Sequence, residues 1–138
     1  MLLGIGIDIV EVRRFDSWEQ RELSAIFSVA EQKEADQIES SELRLQFLAS
    51  RFAAKEAFYK ALSNALIHLS FTSKAFSFQF ARGQVGVIKG VWDVPTLEVN
   101  WGAFEEKIGA KLPKITTHLS ISHEKSYACA IVLLEKQK

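Results

Sequence analysis

Arg51-Phe52-Ala53-Ala54-Lys55-Glu56-Ala57-Phe58-Tyr59-Lys60-Ala61-Leu62 reads as the middle of a long helix, because its residues are strong helix formers and neither Gly nor Pro interrupts the run. At about 3.6 residues per turn, Leu45, Leu48, Phe52 and Tyr59 fall on one stripe, continued by Leu62, Phe58 and Phe47. Ala49, Ala53, Ala54, Ala57 and Ala61 fill most of the remaining surface, so a neighbouring backbone can approach closely. A helix that is apolar or small nearly all round belongs in an interior. Arg51, Lys55, Glu56 and Lys60 nevertheless lie within it, and buried charges need partners or a ligand. Glu56 and Lys60 are four apart and share a face, so they either pair across a solvated edge or flank one site. The stretch alone leaves both readings open.

Upstream, Leu2 to Val12 alternates Gly4, Gly6, Asp8 and Val10 with Leu3, Ile5, Ile7 and Ile9, the period of a strand with one well-buried face. Asp8 stands beside two glycines, which let another element or a ligand come close, and a cation is its natural companion. An edge-strand carboxylate facing water, or a cap of the next segment, is the competing reading. Asp16 or Ser17 is expected to cap a short helix with Trp18, Leu23, Ile26 and Phe27 inward. Ser28 and Glu31 have capping-box spacing and open a second helix to about Ile38, and Ser40 or Ser41 caps the long one. Arg13, Arg14 and Arg21 form a small basic face that suits an acidic partner.

Downstream, Phe76, Phe78 and Phe80 alternate with Ser77 and Gln79 as in a strand, and Val85–Ile88 returns after a turn at Arg82-Gly83-Gln84. Val91–Val94 and Thr96–Val99 are short strand candidates separated by Pro95, which suits an edge. Trp101, Phe104, Ile108 and Leu112 repeat at helical spacing up to Pro113. In Thr117 to Ser122, His118, Ser120 and Ser122 share one face, with Leu119 and Ile121 on the other. His123 to Ser126 is a turn into the apolar run Tyr127–Leu134, typical of a central strand, and the tail from Glu135 is expected to fray. The sum is one α+β domain over residues 1–138, with an antiparallel sheet packed against one long and several short helices.

The bulk numbers exclude several classes. Seventeen basic and seventeen acidic residues balance, so nothing global points to nucleic acid or an anionic membrane. Cys129 is the one cysteine, which rules out a disulfide framework and a cysteine metal cluster. No apolar stretch is long enough for a membrane span, and the N-terminus carries no leader pattern, so a soluble cytoplasmic protein is expected. Walker, dinucleotide-binding and His-Glu-x-x-His signatures are absent. The unusual polar residues are then Asp8, Glu56, Lys60 and His118. Two carboxylates offer hard oxygen ligands of the kind Mg²⁺ uses beside waters and phosphate. A lysine suits phosphate oxygens, and a histidine moves protons near neutral pH. The set suits metal-assisted attack at phosphorus.

Gly4-Ile5-Gly6-Ile7-Asp8-Ile9-Val10-Glu11 resembles the opening motif of bacterial holo-acyl-carrier-protein synthases, the short 4′-phosphopantetheinyl transferases. Arg51 to Ala57 with Lys60 resembles their second signature, and His118-Leu119-Ser120-Ile121-Ser122-His123 with Tyr127-Ala128 their third. The resemblance implies transfer of 4′-phosphopantetheine from coenzyme A to a serine of apo-acyl carrier protein, in support of fatty acid biosynthesis, with release of adenosine 3′,5′-bisphosphate. It implies that Asp8 and Glu56 bind Mg²⁺ and that Glu56, directly or through water, accepts the serine proton. Lys60 would neutralise the pyrophosphate, and His118 would line the site near the coenzyme. It further implies a homotrimer with active sites at subunit interfaces, and carrier docking on Arg14 and Arg21, helped by Arg13.

Two departures stand out. Ser63-Asn64-Ala65 replaces the family's glycine-rich turn, which lets the helix run on. The Phe71–Pro113 region is longer and lacks the usual Gly-Lys-Pro, so adenine and 3′-phosphate contacts do not carry over. A non-catalytic coenzyme A or carrier-protein binding module, and a metal-dependent phosphohydrolase, are the alternative readings.

Overall fold

The computed structural model describes residues 1–73 and 75–138. Strand β1 (Leu2–Glu11) leads through a 3-10 turn (Val12–Phe15) to helices α1 (Gln20–Ile26), α2 (Val29–Asp36) and the 28-residue α3 (Ser41–His68). Helix α4 (Phe78–Arg82), strands β2 (Val85–Lys89) and β3 (Pro95–Val99), helix α5 (Trp101–Ile108) and strands β4 (Ile115–His123) and β5 (Tyr127–Lys136) complete the chain. β1, β5 and β4 form an antiparallel sheet in that order, with β5 central, and β2 pairs with β3 as a hairpin.

The long helix lies on the sheet because both surfaces are smooth. Gly4 and Gly6 face Ala57, Ala61 and Ala65, all three wholly buried. A Cβ on Gly6 would sit 2.0 Å from Ala57 O, so only glycine permits this approach. The element that the glycines admit is therefore α3. Ser40 caps it, accepting from Leu43 N at 3.2 Å, and the helix continues without a break through Ser63-Asn64-Ala65. Phe104 on α5 closes the other side, packed on Phe58, Phe76 and Phe80.

The buried face of β1 carries Gly4, Gly6, Asp8 and Val10; Ile5, Ile7 and Ile9 are 49%, 64% and 68% exposed. Burial here follows what α3 can approach, not side-chain apolarity.

Several sequence expectations are corrected. Phe76, Phe78 and Phe80 do not form a strand: Ser77 Oγ accepts from Phe80 N and starts α4. The three rings are held at helical and loop positions by aromatic partners on α3 and α5. Val91–Asp93 is a tight 3-10 turn, with Trp92 and Asp93 at positive φ, and not a strand. The cap of α1 is Glu19, whose box partner is Glu22, in place of Asp16 or Ser17. α2 stops at Asp36. α5 ends at Gly109, in the left-handed region at φ 77°, before Pro113 can act. The tail does not fray at Glu135, because β5 runs to Lys136 and Glu135 lies opposite Leu2 and Thr116.

Candidate active site

Asp8 is buried on the inner face of β1, opposite Ala130. Lys60 reaches it from α3, with Nζ 3.1 Å from Asp8 Oδ1 and 3.0 Å from Ile7 O. The second carboxylate oxygen, Asp8 Oδ2, is buried and has no hydrogen-bond partner among the described residues. Glu56 lies one turn before Lys60, half-buried. Its carboxyl lies close enough to Asp8 for the two charges to interact. Burial pushes its carboxyl above the usual carboxylate range, reinforced by the neighbouring Asp8 carboxylate; Lys60 and Arg14 act in the opposite direction. Asp8, Glu56 and Lys60 thus meet, and Glu56 and Lys60 flank one site.

Arg14 comes to the same place from the 3-10 turn after β1. Its guanidinium lies over Phe52 at 4.8 Å and Trp18 at 5.9 Å from the ring centroids. Phe52 is one turn before Glu56, so Arg14 borders the carboxylates as well as the surface. Arg13 pairs with Glu11 at 3.0 Å on the exposed flank, and Arg21 is exposed in the first turn of α1.

His118 is placed elsewhere within one chain. It lies opposite Leu133, which lies opposite Ile5, so it belongs to the open face of the sheet, while Asp8 belongs to the inner face. Its Nε2 is 3.1 Å from Glu135 Oε2.

Lys55, expected to need a partner, finds one that no local spacing pointed to. Its ammonium is buried 2.9 Å from Glu31 Oε1 and donates to Val85 O at 2.9 Å. Glu31 also accepts from Ser28 N and Val87 N, so one buried ion pair joins α2, α3 and the edge of β2. The Ser28 capping box located Glu31, but nothing in the spacing linked it to Lys55. Arg51 is buried over Phe47 at 4.0 Å and donates to Ser50 Oγ at 3.0 Å.

A family profile described as the 4′-phosphopantetheinyl transferase superfamily matches residues 4–132. The chain belongs to that superfamily. It is 38% identical to the holo-(acyl-carrier-protein) synthase of Treponema pallidum (strain Nichols), over 98% of this chain and 97% of that protein. It is 31% identical to the enzyme of the same name from Staphylococcus epidermidis, over the full length of both. Among solved structures, an acyl-carrier-protein synthase–coenzyme A complex from Chronobacterium ammoniagenes superposes with TM-score 0.78 at 28% identity, covering 98% of each chain. The Bacillus anthracis holo-(acyl-carrier-protein) synthase in complex with coenzyme A (3′,5′-ADP) gives 0.72 at 31%, covering 99% of each.

A phosphopantetheinyl transferase fold with this cluster has a defined capacity for metal. Among the described residues no group of three or more His, Cys, Asp or Glu side chains converges. The donors are two carboxylates, one with an unpartnered buried oxygen and the other held protonated-prone beside it. That donor set fits a hard divalent cation that keeps waters and takes phosphate oxygens.

Proposed function

We propose that the chain transfers 4′-phosphopantetheine from coenzyme A to a serine of an acyl carrier protein and releases adenosine 3′,5′-bisphosphate. The observation that carries this reading is the unpartnered Asp8 Oδ2 beside Glu56 and Lys60, in a chain of this superfamily. The serine oxygen forms a bond to the phosphorus that bears pantetheine, and the bond from that phosphorus to the bridging oxygen of the diphosphate breaks. Glu56 accepts the serine proton, directly or through water. Lys60, held by Asp8 and Ile7 O, neutralises the departing phosphate. Asp8 and Glu56 would hold a divalent cation such as Mg²⁺, which would supply further charge neutralisation.

The proposed assembly is a homotrimer with active sites at subunit junctions. Ile5, Ile7 and Ile9 leave an apolar sheet face uncovered in the single chain, and His118 stands on that face. Covering it with another copy brings His118 toward a neighbour's coenzyme. Arg14 and Arg21, with Arg13, are proposed to receive the acidic carrier protein. The cytoplasm is the proposed compartment, on family membership; among the described residues no helix is long and apolar enough to cross a membrane.

The test is chromatographic detection of adenosine 3′,5′-bisphosphate in reactions with and without apo-carrier. Release only with carrier supports transfer. Release without carrier supports a phosphohydrolase, and coenzyme A retained without release supports a binding module.

A further inference from the structure

Among the described residues β1 is an edge strand, hydrogen-bonded only to β5 within its sheet. Alternate residues along such a strand turn their backbone groups away from the sheet, where they need other partners. α3 supplies them from side chains four residues apart. Lys60 Nζ donates to Ile7 O at 3.0 Å, Asn64 Oδ1 accepts from Ile5 N at 3.3 Å, and His68 Nδ1 bonds Leu3 O. The i, i+4, i+8 spacing puts the three on one stripe of the helix. This ladder exists because the helix persists through Ser63-Asn64-Ala65.

The contact between α3 and β1 is a close backbone approach at Gly4 and Gly6. Gly4 and Gly6 present no side chains, and Ala57, Ala61 and Ala65 present only methyl groups. The glycine gaps admit the helix backbone, and the polar rungs add directional bonds that hold it at that register. The first rung is also part of the site, because Lys60 Nζ spans Ile7 O and Asp8 Oδ1 together. Half of the Lys60 side chain is exposed, so its own packing does not fix it.

We propose that Asn64 is a positioning residue for the transfer reaction, its bond to Ile5 N fixing the register of α3 on the edge of β1 so that Lys60 and Asp8 meet. The inference rests on the reading of Lys60 as the residue that neutralises the diphosphate.

The test is a double-mutant cycle of Asn64→Ala and Lys60→Ala, measured as kcat at saturating coenzyme A, Mg²⁺ and carrier. Alanine is the best helix former, so Asn64→Ala leaves α3 intact. Circular dichroism and melting verify that each variant is folded at the assay temperature. Asn64→Ala is expected to lower kcat about 10-fold, a displacement of a fraction of an ångström at the site, with carrier KM unchanged. In the Lys60→Ala background the same substitution is expected to lower kcat by a smaller factor than in wild type, since only the Asp8–Glu56 spacing is then left to disturb. Asn64→Asp keeps the acceptor for Ile5 N–H and is expected to retain more of kcat than Asn64→Ala. An equal loss in both backgrounds, or no loss in either, overturns the inference while leaving Lys60 in place. Wild-type kcat in Lys60→Ala alone overturns the diphosphate reading and the inference with it.

Discussion

Gly6→Ala tests the surface on which the site is built. The added Cβ would stand 2.0 Å from Ala57 O and 2.6 Å from Ala61 N, both main-chain atoms of α3. An unstrained carbon–oxygen contact needs roughly 3.3 Å, so the shortfall is about 1.3 Å, and no side chain can rotate away to relieve it. β1 must therefore lift from the helix. Asp8, two residues along the same face, moves with the strand, while Glu56 and Lys60 stay on α3. Overpacking of this kind costs about 1–3 kcal/mol, and backbone obstacles place this case at about 2–3. For a domain of this size that is a fall in Tm of roughly 8–12 °C. A displacement of about 1 Å at a catalytic group lowers turnover on the order of 10²-fold. Thermal melting and turnover below the melting range read the two effects separately. Gly86→Ala on β2 is the control, since its Cβ would meet nothing within 4 Å, and it is expected to match wild type in turnover. A Gly6→Ala protein that melts with wild type and turns over at full rate would refute the close-packed glycine floor.

Three further outcomes follow from the structure. Lys55→Met strands Glu31 without its buried partner and is expected to cost about 3–5 kcal/mol in urea denaturation, whereas Glu31→Gln with Lys55→Met is expected to recover much of that loss; a double variant as unstable as the sum of the singles contradicts the pairing. Glu56 is held above its ordinary 4.5 by burial and Asp8, so the metal-free fold keeps a proton that the unfolded chain has released. The stability this gives is complete below pH 4.5 and is lost as pH rises through the raised value. In EDTA, Glu56→Gln should therefore melt above wild type at the alkaline end of a pH series and with it at the acid end; parallel curves would count against the raised carboxyl. Ile7→Asp places a charge on the open sheet face and is expected to convert the proposed trimer to monomer in gel filtration, with loss of turnover; elution at the wild-type volume would exclude that face as the interface.

The long helix was readable because its residues agree on one state: helix formers throughout, a Ser cap and no breaker. β1 was readable from its period of two, but the pattern did not say which face is buried. That depends on α3 choosing the glycine side, a tertiary fact. The Phe76–Phe80 alternation misled because three aromatic residues look alike in a strand and in a capped turn of helix; the Ser77 cap was the signal that decided it. Asp8, Glu56 and Lys60 were legible as unusual polar residues and, through family motifs, as one set. Their meeting required β1 and α3 to cross at Gly6, which no local spacing encodes. His118 carried the motif but occupies the other face of the sheet, since a strand assigns faces only relative to its neighbours. The Glu31–Lys55 pair and the approach of Arg14 to Glu56 join distant segments and left no trace in either one.

The most direct measurement is the intact mass of an apo-acyl carrier protein after incubation with the chain and coenzyme A, in Mg²⁺ and in EDTA, for wild type and Glu56→Gln. The predicted result is the gain of one phosphopantetheine with wild type in Mg²⁺ and little or none in the other three reactions. An unchanged carrier mass with wild type in Mg²⁺, or an equal gain with Glu56→Gln or in EDTA, would contradict metal-assisted transfer at the Asp8–Glu56–Lys60 site.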